Sequence, residues 1–141
     1  MEVNGVTLLL IEDDHVDAEA IQRAFRRQKI ANPFVVVRDG VEALAALRGE
    51  PGAPDVPTPY LILLDINMPR MNGIEFLREL RADPELGRTT VVVLTTSNDE
   101  RDKIEAYNLN VAGYLLKPVT FSNFCEVMAT LNKYWTLVEM P

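Results

Sequence analysis

Three short apolar runs end directly on charged residues, and this constrains the fold more than any other feature. Leu8-Leu9-Leu10-Ile11 runs into Glu12-Asp13-Asp14, Leu61-Ile62-Leu63-Leu64 into Asp65, and Tyr114-Leu115-Leu116 into Lys117-Pro118. Brief aliphatic runs without polar alternation read as parallel strands buried on both faces. In an open α/β sheet, ligands bind outside the carboxyl ends of the strands. The charges therefore converge on one edge, and that edge is expected to be a site.

The pattern predicts strands at Thr7–Ile11, Phe34–Arg38, Tyr60–Leu64, Thr90–Leu94 and Ala112–Leu116. Helical stretches alternate with them. The first, Asp17–Lys29, places Ile21, Ala24 and Phe25 on one face and leaves Arg23, Arg26 and Arg27 to solvent. The second, Val41–Arg48, stops at Gly49. The third starts near Asn72-Gly73, buries Ile74, Leu77 and Leu80, and ends before Pro84. The fourth, Glu100–Leu109, is largely charged, and the fifth runs from Thr120 or Ser122 to Leu137. Strand–helix alternation at this spacing implies βαβ units and a parallel sheet with right-handed crossovers. Residues 49–59 carry four prolines and read as a stiff surface loop, not a domain linker.

A chain of 141 residues predicts one domain. Its net charge of −7, without a basic cluster to offset it, argues against a nucleic-acid surface. Cys125 is the single cysteine, which excludes an intrachain disulfide and a thiolate metal cage, and it reads as a helix-packing residue. No apolar stretch approaches ~20 residues, and the start Met1-Glu2 lacks the basic segment of a signal peptide. A cytoplasmic chain that does not enter membranes is the expectation.

A pocket holding Glu12, Asp13 and Asp65 crowds carboxylates, each raising the others' pKa unless a cation compensates. Lys117 supplies one positive charge, and the remainder calls for a hard divalent ion. Mg²⁺ suits the place because it takes oxygen ligands, keeps waters, and is commonly held by one or two carboxylates plus phosphate oxygens. A phosphoryl group is then accommodated between metal and ammonium, and a carboxylate can act as nucleophile to form an aspartyl phosphate. Asp65, alone at the end of a central strand, is the candidate. The Thr95 hydroxyl, where the fourth strand ends, can meet a phosphoryl oxygen.

These residues resemble the receiver domain of two-component response regulators. The likeness is carried in order by Ile11-Glu12-Asp13-Asp14, Leu64-Asp65-Ile66-Asn67-Met68-Pro69, Asn72-Gly73, Leu94-Thr95-Thr96-Ser97 and Gly113-Tyr114-Leu115-Leu116-Lys117-Pro118. It implies a flavodoxin-like (βα)5 doubly wound α/β fold with a five-stranded parallel sheet in order 2-1-3-4-5 and an extended C-terminal helix. It further implies a single receiver domain over residues 1–141, with its core at about 5–137 and a C-terminal extension at 132–141.

Carried over residue by residue, the resemblance makes Asp65 the acceptor of a phosphoryl group from a kinase phosphohistidine. Asp13 would ligate Mg²⁺ directly, Glu12 mostly through water, and Asn67 through its backbone carbonyl, beside Asp65. Lys117 would pair with Asp65 before transfer and with the phosphoryl group after it. Thr95 would move onto a phosphoryl oxygen, Tyr114 would change rotamer with it, and a cis Lys117-Pro118 bond would aim the lysine inward. Such a protein is a phospho-acceptor that assists its own phosphorylation and dephosphorylation, not an enzyme. Two departures from the commonest pattern stand out. Glu12 replaces the more frequent aspartate, and Asn110 stands where a glycine usually ends the fourth helix, in a left-handed cap that asparagine tolerates. Asp14 adds an acid at the rim, and His15 reads as a residue opening the first helix.

Signal output is expected through the face formed by helix four, strand five and helix five. Phe124, Met128, Leu131, Tyr134, Trp135 and Val138 continue a helical apolar stripe beyond what covers the sheet, which predicts a homodimer through this face and the extension. Ala82-Asp83-Pro84-Glu85-Leu86, Thr95-Thr96-Ser97 and Ala106-Tyr107-Asn108-Leu109 resemble stand-alone receivers that partner phytochrome-type sensor kinases. The partner implied is therefore a sensor histidine kinase of that type; the alternatives are a phosphorelay intermediate or a receiver served by a non-photoreceptor kinase. Three other functions compete. A haloacid dehalogenase-type phosphatase needs a general acid where Asn67 stands, a flavodoxin-type carrier would have its phosphate repelled by Glu12-Asp13-Asp14, and an unphosphorylated scaffold would not need the complete set.

Overall fold

The computed structural model describes residues 6–27, 29, 31–68, 71–96 and 99–116. Within them the chain alternates β1 (Thr7–Ile11), α1 (His15–Arg27), β2 (Phe34–Val37), α2 (Gly40–Leu47), β3 (Tyr60–Leu64), α3 (Gly73–Ala82), β4 (Val91–Thr95), α4 (Glu100–Asn108) and β5 (Gly113–Leu116). All strand pairs are parallel, in the order β2-β1-β3-β4-β5. This is the doubly wound order the family resemblance implied.

Strand periodicity divides the core in two. Leu8 and Leu10 of β1, Leu61 and Leu63 of β3, and Val92 and Leu94 of β4 pack with Ala18, Ile21, Ala24 and Phe25 of α1. Leu9, Ile11, Ile62, Leu64, Val91 and Val93 belong to the opposite cluster, with Leu44 of α2, Phe76, Leu77 and Leu80 of α3, and Ala106 of α4. Each fully buried Leu, Ile or Phe contributes about 1.5–3 kcal/mol. Edge-on contact between Phe25 and Phe34, with ring centres 5.0 Å apart, ties the end of α1 to the start of β2.

Helix starts are set by short polar side chains that satisfy otherwise unpaired N–H groups. Asp14 Oδ1 accepts from the N–H groups of Val16 (2.9 Å) and Asp17 (3.2 Å), so α1 opens at His15, two residues before the periodicity suggested. Asp39 caps α2, Asn72 and Glu75 form a capping box on α3, and Asp99 caps α4. At the C-terminal ends, Gly49 (φ 68°) and Asn110 (φ 60°) adopt the left-handed conformation, as expected of both. β4 runs one residue later than its apolar pattern because Thr95 pairs with Leu116. In the proline-rich loop, Val56 packs against the core and the Thr58-Pro59 bond is cis, a feature the sequence did not signal.

The fifth helix, Cys125 and the extension 132–141 lie outside the described residues. So do Lys117, the Lys117-Pro118 bond and the dimer-face residues Phe124, Met128, Leu131, Tyr134, Trp135 and Val138.

Candidate functional site

Parallel register brings the acids together. Ile11 is level with Leu64, so Glu12 leaves β1 beside the point where Asp65 leaves β3. Asp65 N–H donates to Ile11 O at 3.1 Å and Glu12 N–H to Val37 O at 3.0 Å, which fixes both backbones at the sheet's carboxyl edge. Glu12 is 2% and Asp65 5% exposed, whereas Asp13 faces solvent. One carboxylate oxygen from each lies within 4.8 Å of the others.

Two carboxyl groups so deeply buried need hydrogen bonds or a cation to replace their lost hydration. Asp65 Oδ1 accepts from the Thr95 hydroxyl at 2.5 Å and from Asn67 N–H at 3.2 Å. Glu12 Oε2 accepts from Asp14 N–H at 3.3 Å. Thr95 is fully buried at the end of the neighbouring strand, where it pairs with Leu116 of β5, so its hydroxyl reaches Asp65 from the sheet itself. The remaining donors are hard oxygens, and Asp13 opens the cluster to water. That combination fits a divalent ion such as Mg²⁺ or Mn²⁺ that retains part of its hydration shell.

The sequence-predicted residues distribute as follows. Glu12, Asp13, Asp65, Asn67 and Thr95 are brought together. Asp14, read as a further acid at the rim, serves as the cap of α1. Tyr114 is half-buried on β5, with Lys103 Nζ 5.8 Å from its ring centre. Ser97, like Lys117, is outside the described residues.

Two structural contributors carried no chemical signal in the sequence. Gly73 lies so close to the β3–α3 connection that a Cβ there would stand 2.7 Å from Asp65 O. Asp102 of α4 borders a polar cleft with Ile66, Asn67, Met68 and Asn72 next to the acids. The Asn72-Gly73 pair was visible as a motif, but its steric role needs coordinates; Asp102 looked like one charge among many on α4.

Comparisons with known proteins agree with this geometry. The model of the response regulator receiver domain family matches residues 8–129. Response regulator Rcp1 of Synechocystis is 36% identical over 128 residues, 91% of this chain and 87% of that protein. Among solved structures, the phosphorylated cyanobacterial phytochrome response regulator RcpA superposes with a TM-score of 0.88 at 36% identity, covering 96% of this chain and 98% of that one. The Mn²⁺-bound form of Rcp1 gives 0.86 at 35% identity, covering 96% and 99%. No helix among the described residues is long and apolar enough to cross a membrane. With its parallel sheet, its acids at the carboxyl edge and a family match across most of its length, the chain belongs to the response regulator receiver domain family and is a two-component signalling protein.

Proposed function

We propose that Asp65 is the phosphoryl acceptor, taking its group from the phosphohistidine of a sensor kinase of the phytochrome type. The single observation that carries this reading is the buried Asp65 carboxylate oriented by Thr95 and Asn67, with Glu12 and Asp13 alongside. Glu12, Asp13, Asp65 and the Asn67 carbonyl would hold Mg²⁺. When bound, that ion supplies positive charge to the phosphoryl oxygens and offsets the repulsion among the neighbouring acids.

An Asp65 oxygen attacks phosphorus as the P–N bond of the phosphohistidine breaks. The imidazole nitrogen leaves with the bonding pair and takes a proton from solvent. Thr95 keeps a hydroxyl donor within reach of the new phosphoryl oxygens, and Lys117 would add its ammonium to them. The adduct carries about 1.5–2 negative charges, and its later hydrolysis returns the carboxylate and free phosphate. The chain thus serves as a phospho-acceptor rather than a turnover catalyst.

Output is assigned to α4, β5 and the segment after it, through protein contact or homodimerisation that includes Phe124, Met128, Leu131, Tyr134, Trp135 and Val138. In support, Ile104, Tyr107 and Leu116 are large apolar residues left 54%, 50% and 41% exposed on this side. Residues 1–141 act as one receiver domain, in the cytoplasm where a kinase presents its phosphohistidine. The test is phosphotransfer from a panel of autophosphorylated sensor kinases to wild type and Asp65→Asn, with molar mass measured by light scattering on the same samples. Mg²⁺-dependent labelling that Asp65→Asn abolishes is expected; labelling that persists in the variant puts the acceptor elsewhere.

A further inference from the structure

Arg81, at the end of α3, reaches four backbone carbonyls. Nε donates to Leu109 O at 2.7 Å, one terminal nitrogen to Gly87 O at 3.1 Å and Thr89 O at 2.7 Å, and the other to Asn110 O at 3.1 Å. Gly87 and Thr89 belong to the connection into β4, and Leu109 and Asn110 follow the last turn of α4. A planar guanidinium with five N–H donors can span such a set; an ammonium cannot. The side chain therefore ties three segments together at the end of the sheet opposite the acids.

The anchoring of α4 is correspondingly uneven. Its far half holds Ala106, the buried residue of this helix, and Glu105, which pairs with Arg78 of α3. Beyond it Val111 is buried and Ala112 N–H donates to Val91 O at 2.7 Å. Its near half is held at the surface: Asp99 caps it, Lys103 Nζ lies 5.8 Å from the Tyr114 ring centre, and Glu100, Arg101 and Ile104 are exposed. That near end is also the one the chain reaches within a few residues of Thr95.

We propose that Arg81 is the fulcrum of α4: it pins the far end, so that a shift of Thr95 tilts the near end instead of translating the helix. Arg81 is then a positioning residue for the output face, remote from the phosphoryl chemistry. The partner-facing displacement is concentrated at residues 99–104. The inference rests on the reading of Asp65 as acceptor, because phosphorylation supplies the shift.

The experiment is amide NMR and hydrogen exchange on the full chain with Mg²⁺, before and after saturation with beryllofluoride. Amides of Asp65 and Thr95 report uptake. With uptake, exchange at residues 99–104 is expected to change by about tenfold or more while Leu109, Asn110 and Ala112 change less than about twofold. In Arg81→Lys and Arg81→Ala, those three far-end amides should exchange faster and become ligand-sensitive. Uptake with equal changes at both ends of α4 in the wild type overturns the fulcrum alone. No change at Asp65 or Thr95 overturns the acceptor reading, and the fulcrum with it. If a variant fails to fold, the wild-type profile still decides.

Discussion

The Cβ that Gly73 lacks would stand 2.7 Å from the carbonyl oxygen of Asp65 and 2.8 Å from Ile66 Cα. The Gly73 N–H donates to Ile66 O at 2.9 Å, so the first turn of α3 rests directly on the backbone next to Asp65. Neither obstacle is a side chain that can rotate away. Gly73→Ala is therefore expected to cost about 1–3 kcal/mol through forced backbone movement, and to slow phosphorylation by acetyl phosphate. At Gly40 the nearest added contacts are the flexible Met71 Sδ and Cγ, at 2.8 and 2.9 Å. Gly40→Ala should lose less stability and leave phosphorylation unchanged. Urea titrations paired with phosphorylation rates separate the two; equal rates for Gly73→Ala and wild type would break the link between α3 and the site.

Thr95 offers a second test. Its hydroxyl donates to Asp65 Oδ1 from a fully buried position, and a hydrogen bond to a charged group is worth about 1.5–3 kcal/mol. Transferred to a phosphoryl mimic, that loss corresponds to roughly 10–100-fold in affinity. Thr95→Val should weaken Mg²⁺-dependent beryllofluoride binding by this amount while keeping the packing volume. Thr95→Ser should stay within about threefold of wild type, since it retains the donor. Calorimetry on both variants reads the difference, and equal affinities would remove Thr95 from the phosphoryl site.

Much of this arrangement was legible because its signals are local. A run such as Leu61–Leu64 buried on both faces, followed by one acid, specifies a central strand and its functional end. The apolar face of α1 and the left-handed Asn110 were equally plain. Features made by long-range contact were not. Nothing local marks Arg81, near the end of an amphipathic helix; only the fold brings the Leu109 and Asn110 carbonyls to it. Asn32 is buried with its amide donating to Val6 O at 2.7 Å, a contact across 26 positions that no periodicity encodes. Asp14 shows how one residue can carry two signals: beside Glu12-Asp13 it reads as a rim acid, and its spacing to Val16 and Asp17 is also that of a helix cap.

Two capping carboxylates make stability depend on acid in a defined direction. N–H donation from Glu85 chiefly holds the Asp83 carboxyl below its ordinary value, against an opposing desolvation effect, with Leu86 and Arg48 assisting. The Arg101 N–H does the same for Asp99. A folded pKa below the unfolded one, about 3.9 for aspartate, means stabilisation that is complete above that value. It is lost as pH falls through the folded pKa. Asp83→Asn and Asp99→Asn keep an acceptor oxygen but cannot titrate. Their stability relative to wild type should therefore improve as pH drops from about 5 to 2, as read from urea midpoints across that range. A constant difference across the range would show that neither carboxyl is linked to folding.

Removing one acid from the Glu12, Asp13 and Asp65 cluster should act with opposite signs on stability and on metal affinity. The carboxylate oxygens of Glu12, Asp13 and Asp65 approach within 4.8 Å, so without a bound cation their charges repel. Asp13 is the exposed member, and screening limits its share of that repulsion to about 0.2–1 kcal/mol. In EDTA, Asp13→Asn is accordingly expected to melt at or slightly above the wild-type temperature. In Mg²⁺ the order should reverse: the wild type gains stability with metal concentration as RT ln(1 + [L]/Kd), and the variant gains less. A Kd weakened by about tenfold or more corresponds to loss of one charged ligand worth at least ~1.4 kcal/mol. Thermal melts across a Mg²⁺ series give both quantities from one experiment. A variant that melts well below wild type in EDTA, yet shows the same Mg²⁺ dependence, would make Asp13 a structural residue and leave the cation to other ligands.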